Sequence, residues 1–315
     1  MYKTILVPLD GSGVGEAALG TAAAIARRTG ARLALIRAAR VRKPLGDAAI
    51  DQQRAIMQAE VYLTTVADKL SEQGVEVEIG IPYGDLAAAW IIEEIALRKA
   101  DLVVMATHGR TGPDRWLHGS VAEAVVNRAQ VPVVVIRADA PPTPAPFEVA
   151  QPTLVVPLDG SELAEAATLP ARELAIALTA RIVLVGVIPR PGELVAAPGT
   201  IVTYVGDDHA RLMNDTREYL ADVSQRLAGP QTPIETSIRL GDAAAEIAAS
   251  AAETSAAAIV MATHGRTGLA RAFLGSVAGL VLQHSAVPVM LVRPHALRAA
   301  EEPAVAARVT APLPA

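Results

Sequence analysis

The eight residues Met105-Ala-Thr-His-Gly-Arg-Thr-Gly112 occur a second time, unchanged, as Met261-Ala-Thr-His-Gly-Arg-Thr-Gly268. Each copy is followed by the same Gly-Ser-Val-Ala, at 119–122 and at 275–278. Chance does not produce a repeat of this length at a constant offset. Because its period is far longer than the 20–50 residues of a solenoid unit, it predicts two copies of a whole domain.

A second pair of matching segments lies upstream of these copies. Ile5-Leu-Val-Pro-Leu-Asp-Gly-Ser12 resembles Leu154-Val-Val-Pro-Leu-Asp-Gly-Ser161, at a slightly smaller offset. The second copy therefore carries about seven extra residues between the two anchors, and the Pro- and Gly-containing stretch 189–206 is the simplest place for them.

The length of 315 residues agrees with two domains at roughly 150 residues each. We expect domain 1 at residues 1–138, a Pro-rich linker at 139–152 and domain 2 at 153–296. The Ala- and Pro-rich tail at 297–315 has little to bury and is expected to be disordered.

Composition excludes several classes of protein. Hydrophobic residues make up 51% and charged residues 19%, which favours a folded chain. The formal net charge of −5 gives no positive field for nucleic acid or an anionic membrane, and no apolar run is long enough to span a bilayer. The absence of cysteine removes disulfides and thiolate chemistry, and the six histidines show no metal-ligand spacing. We therefore expect a cytoplasmic protein without a metal site and without a nucleic-acid or membrane partner.

Short apolar segments alternate with longer segments of helical periodicity. In the first copy, the expected strands are 4–9, 32–37, 75–81, 102–106 and 131–136, and the expected helices are 14–29, 48–73, 85–98 and 120–129. This alternation predicts an α/β fold of two tandem doubly wound domains, each a mostly parallel five-stranded sheet with helices on both faces. Such sheets bind ligands beyond the carboxyl ends of their strands.

The repeated motif has the arrangement of a phosphate-binding loop. It runs from an expected strand through Gly109 to Gly119 and Ser120, where a helix is expected to begin, and the second copy has Gly265, Gly275 and Ser276 in the same places. Backbone N–H groups at such a helix start can bind an anion. In the first copy Ser120-Val-Ala-Glu123 is also a capping box, which is a purely structural alternative. The second copy has Gly279 where the box needs an acid, so a capping box does not explain the Ser276 hydroxyl.

Acidic residues follow strands at the same expected sheet edge. Asp10 and Asp159 each end the first strand of a copy, where a carboxylate could accept hydrogen bonds from ribose hydroxyls. An N-cap or an Asx turn is an equally good explanation. Asp85 and Asp242, which follow the third strand of each copy, are better explained as helix caps.

The histidines and arginines of the loop offer weaker signals. His108 and His264 precede the loop glycine, but no carboxylate or nucleophile stands at a recognisable spacing, so no catalytic residue is predicted. Arg110 and Arg266 could pair with phosphates, although lone loop arginines are more often solvated.

Together these motifs resemble the universal stress proteins, in the form that carries two tandem domains and binds ATP. The family pattern is Gly, two residues, Gly, nine residues, Gly, then Ser or Thr; here it reads Ala106-Thr-His-Gly109, nine residues, Gly119-Ser120, and again from Ala262 to Ser276. The first glycine of the pattern is alanine in both copies, which could crowd a nucleotide that approaches the backbone.

The resemblance implies an adenine nucleotide alpha hydrolase-like fold that holds ATP, with or without Mg²⁺, between the ends of the first strands. Residues that the family pattern places at the nucleotide are Pro8, Asp10, Ala38, Met105, Ala106, His108, Gly109, Arg110, Gly119, Ser120 and Val121 in the first copy. Those in the second copy are Pro157, Asp159, Val187, Met261, Ala262, His264, Gly265, Arg266, Gly275, Ser276 and Val277.

The resemblance further implies a nucleotide-responsive stress or signalling protein with little or no turnover. It implies that the two domains pair through their last strands, 131–137 and 287–293, and that the chain forms a homodimer. A nucleotide-free dimerisation scaffold and a slow ATPase that uses His108 or His264 are the alternatives.

Overall fold

The computed structural model describes residues 2–39, 48–82, 86–107, 120–139, 147–190, 194–197, 200–203, 206–230, 232–263 and 274–294. In the first half, the elements are β1 (Thr4–Pro8), α1 (Gly13–Thr29), β2 (Arg32–Ile36), α2 (Ala48–Ser71), β3 (Val77–Gly80), α3 (Ala87–Leu97), β4 (Leu102–Thr107), α4 (Ser120–Arg128) and β5 (Val133–Arg137). In the second half, they are β6 (Thr153–Leu158), α5 (Glu162–Glu165), α6 (Thr168–Leu178), β7 (Arg181–Ile188), β8 (Leu194–Ala197), β9 (Thr200–Thr203), α7 (Gly206–Leu227), β10 (Ile234–Leu240), α8 (Ala243–Glu253), β11 (Ala258–Ala262), α9 (Ser276–His284) and β12 (Val289–Val292).

The predicted α/β architecture is confirmed in both halves. The strand order is β3-β2-β1-β4-β5 in the first half and β10-β7-β6-β11-β12 in the second, and all neighbours within a half are parallel. Helices pack on both faces of these sheets, so each face has its own hydrophobic core.

Several features differ from the sequence-based expectation. Strand β3 begins at Val77 rather than at residue 75, because the Val75 amide instead donates to the Leu70 carbonyl and closes the end of α2. Helix α3 begins at Ala87, two residues later than expected. The stretch 189–206 includes an antiparallel hairpin of β8 and β9, which the sequence analysis did not predict.

The first helix is continuous in the first half and broken in the second. Helix α1 is unbroken over 17 residues, and Gly30, at φ 69°, ends it with a left-handed cap. The corresponding segment in the second half divides into α5 and α6 around Ala166. Pro170 lacks an amide proton and its ring would clash with the carbonyl four residues earlier, which is that of Ala166, so the helix cannot continue through this point.

The two halves join into one ten-stranded sheet through their last strands. Strand β5 pairs antiparallel with β12, with Val134 opposite Met290. The pairing of the last strands that the family resemblance implied is therefore confirmed, and the structure adds its direction and register. The Arg137 guanidinium donates to the carbonyls of Gln283 and Ser285 across this seam. Because the pairing is antiparallel, the carboxyl ends of the two sets of parallel strands lie at opposite edges of the joined sheet.

The chain just before β6 is packed against both halves rather than free. Phe147 is completely buried within the core that α1, α2, α6 and α7 share. The Arg28 guanidinium of α1 donates to the carbonyls of Phe147, Val149 and Leu178. The described part of the Pro-rich segment is therefore fixed to α1 and α6, and does not act as a simple spacer there.

Candidate functional site at the carboxyl ends of the strands

An aspartate held by a serine follows the first strand of each half. Oδ1 of Asp10 accepts hydrogen bonds from the Ser12 amide at 2.9 Å and the Ser12 hydroxyl at 2.6 Å. The same atom of Asp159 accepts from the Ser161 amide at 3.0 Å and the Ser161 hydroxyl at 2.6 Å. The two turns are therefore superimposable in their hydrogen bonding, although about 150 residues separate them in sequence.

The serines, and not the aspartates, cap the helices. The Ser12 hydroxyl accepts from the Gly15 amide at 3.1 Å, and the Ser161 hydroxyl accepts from the Ala164 amide at 3.1 Å. Of the alternatives left open by the sequence, the N-cap interpretation of Asp10 and Asp159 is wrong and the Asx turn is correct. The turn fixes both carboxylates at the sheet edge where a nucleotide ribose was expected.

Glycines in this turn are required by its geometry. Gly11 and Gly160 both have φ of 83°, a left-handed conformation that residues with a Cβ rarely adopt. The repeated Asp-Gly-Ser sequence is thus the local signal for this turn.

The start of α9 lies directly against the end of β11. The Gly275 amide donates to the Thr263 carbonyl at 2.7 Å, and Gly275 forms the N-cap of α9 without a side-chain hydrogen bond. Ser276 and Val277 are exposed in the first turn of this helix. The first amides of a helix have no partner within it, so they present partial positive charge at this edge.

The corresponding region of the first half is described only in part. Ala106 lies in β4, next to its last residue, and Val121 is half-buried in the first turn of α4. His108, Gly109, Arg110 and Gly119 lie outside the described residues, as do His264, Gly265 and Arg266 of the second half. The Ser120 hydroxyl is likewise outside them, so the capping box with Glu123 stays a prediction.

The remaining predicted residues lie at or near the ends of the strands. Met105 and Met261 are buried in the core on the α3, α4, α8 and α9 face. Ala38 and Val187 pack against that same core from the ends of the second strands. Pro8 and Pro157 end or nearly end the first strands, beside these residues.

The capping interpretation of Asp242 is confirmed, because its side chain accepts from the Ala245 amide at 2.9 Å at the start of α8. Its first-half counterpart, Asp85, lies outside the described residues.

Sequence analysis missed Arg37, which follows the last residue of β2 at the same edge. Its guanidinium lies 4.7 Å from the centre of the Tyr62 ring and close to Gly11. The Tyr62 hydroxyl donates to Glu16 at 3.0 Å. Burial, and this hydrogen bond, raise the pKa of the Tyr62 hydroxyl above its usual range, so it remains a donor at neutral pH. An arginine directly after a strand at the carboxyl edge is the signal that could have revealed it.

The second half has no counterpart of Arg37. Strand pairing sets Ile36 opposite Pro8 and Val185 opposite Pro157, so the position after Ile36 corresponds to Gly186. In the part of each edge that the structure describes, the two halves share the aspartate turn and differ at the position of Arg37.

A cavity of about 820 Å³ lies elsewhere, between α1, α2, the end of β5 and Phe147. It lies on the face of the sheet that α1 and α2 cover, and neither Asp10 nor Asp159 lines it. No group of three or more metal-ligating side chains occurs among the described residues, and no helix in them is long and apolar enough to cross a membrane.

The comparisons with known proteins agree with this architecture. A sequence model of the universal stress protein family matches residues 1–137 and 152–293. A universal stress protein of Methanocaldococcus jannaschii is 34% identical over 142 residues, which cover 44% of this chain and 83% of that protein. A universal stress protein of Mycobacterium tuberculosis is 32% identical over 204 residues, which cover 62% of this chain and 62% of that protein.

Among solved structures, a universal stress protein from Archaeoglobus fulgidus has a TM-score of 0.67 at 21% identity, covering 92% of this chain and 98% of that chain. At this identity the likeness shows the shared fold alone. Since the family model matches both halves over nearly their full length, the chain belongs to the universal stress protein family.

Proposed function

We propose that this chain binds ATP at the carboxyl edge of each half, with or without Mg²⁺, and acts as a nucleotide-responsive stress or signalling protein. The observation that carries the proposal is the aspartate turn repeated in both halves, which in the second half shares its sheet edge with a glycine-capped helix start. Two turns with the same three hydrogen bonds, at equivalent strand ends, favour a shared chemical role over chance.

The chemistry of the edge suits a nucleotide. The carboxylates of Asp10 and Asp159 can accept hydrogen bonds from ribose hydroxyls. The first amides of α9 can donate to phosphate oxygens, and Gly275 keeps the backbone there open to close approach. Polar acceptors and donors thus lie at strand ends whose neighbouring residues belong to the apolar core, and a small-molecule site commonly combines such groups.

The alanine that replaces the first family glycine is compatible with this proposal. Ala262 is only 6% exposed and its side chain belongs to the core that packs against α5 and α6. Ala106 packs against the same core in the first half. A methyl group that lies in the core does not crowd a ligand at the edge.

Binding without appreciable turnover, a cytoplasmic site of action and a homodimeric assembly belong to the same proposal. A slow ATPase would instead release phosphate steadily, and that release would disappear in a His264→Ala variant.

The experiment compares Asp10→Asn, Asp159→Asn and the double variant in ATP titrations by calorimetry. Loss of a charged acceptor costs about 1.5–3 kcal/mol, so we expect each single variant to weaken one of two sites by roughly 10- to 100-fold. Asp101→Asn is the matched control, because Asp101 lies at the opposite edge of the same half, where it accepts from the Lys3 amide. A double variant that binds ATP as well as the unaltered protein would refute the ribose contact.

A further inference from the structure

Helix α2 has apolar residues on its buried side and also on the opposite, exposed side. Its buried residues recur every three or four positions and are Ala59, Leu63, Val66 and Leu70. At 100° per residue, the opposite side of the helix carries Ile50, Met57 and Val61, which are 51%, 59% and 63% exposed. These three side chains form the outer stripe of α2. A surface helix normally presents polar residues on this side.

The equivalent helix of the second half does present polar residues. Leu220 and Val223 of α7 occupy the buried positions that correspond to Leu63 and Val66. In that register, Asn214 and Glu218 correspond to Met57 and Val61, and both are exposed. The fold therefore does not require an apolar residue at these positions, and the outer stripe is a property of the first half alone.

Charged residues extend the outer stripe at both ends in a self-complementary way. Arg54 lies seven residues before Val61 and Asp68 lies seven residues after it, so both are on the same side of the helix. Both are exposed, and neither forms an ion pair with any residue that the structure describes. If a second copy of α2 crosses antiparallel with Val61 on the two-fold axis, Arg54 of each copy faces Asp68 of the other.

We propose that two chains associate through the outer stripe of α2, antiparallel and centred on Val61. This names the surface of the homodimer in the proposed function and does not depend on nucleotide binding. One such surface per chain gives a closed two-fold dimer, because a self-complementary patch is used up when two copies meet. The same contact between two copies of α7 is disfavoured, since it would bring Glu218 against Glu218.

The first test measures the mass of the full chain by sedimentation equilibrium over a concentration series. The unaltered protein is expected to approach the mass of a dimer, and Val61→Glu, which installs the α7 residue, is expected to weaken association by tenfold or more. Leu97→Glu is the matched control, because Leu97 is a 75% exposed apolar residue on α3, and it is expected to leave the dimer unchanged. Circular dichroism verifies that each variant is folded.

The second test reverses the charges. Arg54→Asp and Asp68→Arg each place like charges opposite one another and are expected to weaken the dimer. The double variant Arg54→Asp/Asp68→Arg restores opposite charges and is expected to recover it. Recovery distinguishes this pairing from any other use of the outer stripe.

Three results would overturn the proposal. They are a monomer at every concentration, an undiminished dimer in Val61→Glu, and a failure of the double charge reversal to recover association. A monomer that pellets with phospholipid vesicles through Val61 would assign the outer stripe to a lipid surface instead. ATP titration of the same samples keeps failure of the dimer separate from failure of nucleotide binding.

Discussion

The two halves of this chain share one architecture but differ in what they present to their surroundings. Strand order, parallel pairing and the Asp-Gly-Ser turn are the same in both. The outer side of the long helix is apolar in α2 and polar in α7, and the carboxyl edge has Arg37 in one half and Gly186 in the other. The aspartate turn is thus common to both halves, and the differences lie in the side chains around it and on the outer surface.

The seam joins the two divergent halves into one sheet. Pairing of β5 with β12 leaves neither last strand as an exposed edge, which would otherwise be a place for aggregation. Each face of the joined sheet then has a core with residues from both halves. Stability of the halves should therefore be coupled, and the following substitutions test that coupling.

The largest effect is expected at Phe147, which contributes to the shared core but belongs to neither sheet. Phe147→Ala removes a completely buried ring next to an existing cavity and should lower the free energy of unfolding by about 3–5 kcal/mol. Chemical denaturation measures this value. Val149→Ala is the control, since Val149 is 52% exposed and its loss should cost less than about 0.5 kcal/mol. Equal stability of the two variants would show that Phe147 does not hold the halves together.

A smaller effect is expected at Arg28, which joins α1 to the segment before β6 and to the end of α6. Arg28→Met leaves the carbonyls of Phe147 and Val149 without this donor and should cost about 1–3 kcal/mol in thermal or chemical denaturation. Arg211→Met is the control, because the Arg211 side chain is 83% exposed. A loss no greater than in that control would mean that the Arg28 hydrogen bonds do not hold the segment, which would leave Phe147 and the Arg27–Glu148 ion pair to do so.

The smallest loss of stability is expected at the two helix caps. Ser12→Ala and Ser161→Ala each remove a cap and should cost about 1 kcal/mol. Hydrogen exchange should show loss of protection throughout α5, which has four residues, but only in the first turn of the longer α1. Ser71→Ala, at the exposed end of α2, serves as the control. Equal loss of protection along α1 and α5 would contradict the view that α1 is one continuous helix and α5 a separate short one.

Sequence patterns predicted the fold well because the repeat and the alternation of strands and helices reflect backbone requirements. The Pro-Leu-Asp-Gly-Ser segments identified both aspartate turns, although local sequence could not separate an N-cap from an Asx turn, because either uses the same residue types. Two features were not predicted, namely the helix break near Pro170 and the pair of strands β8 and β9 in the 189–206 stretch. The composition of both segments is also compatible with other structures.

Other features depend on residues that are distant in sequence. Arg37 acquires its place beside Tyr62 only when α2 packs against β2, and no local pattern indicates that contact. Phe147 is buried by elements from both halves. Its Pro-rich sequence context instead suggested a linker, because the residues that bury it are distant in sequence. The outer stripe of α2 becomes visible only when the buried side of the helix is known.

The most direct test of the central claim is the amount of adenine nucleotide bound per chain. One sample of the freshly purified protein is denatured, and the released nucleotide is measured by chromatography. A second, folded sample without bound nucleotide is melted with and without millimolar Mg-ATP. We expect about two ATP per chain and a rise in Tm on adding ATP. No released nucleotide together with no change in Tm would contradict it and favour the nucleotide-free scaffold.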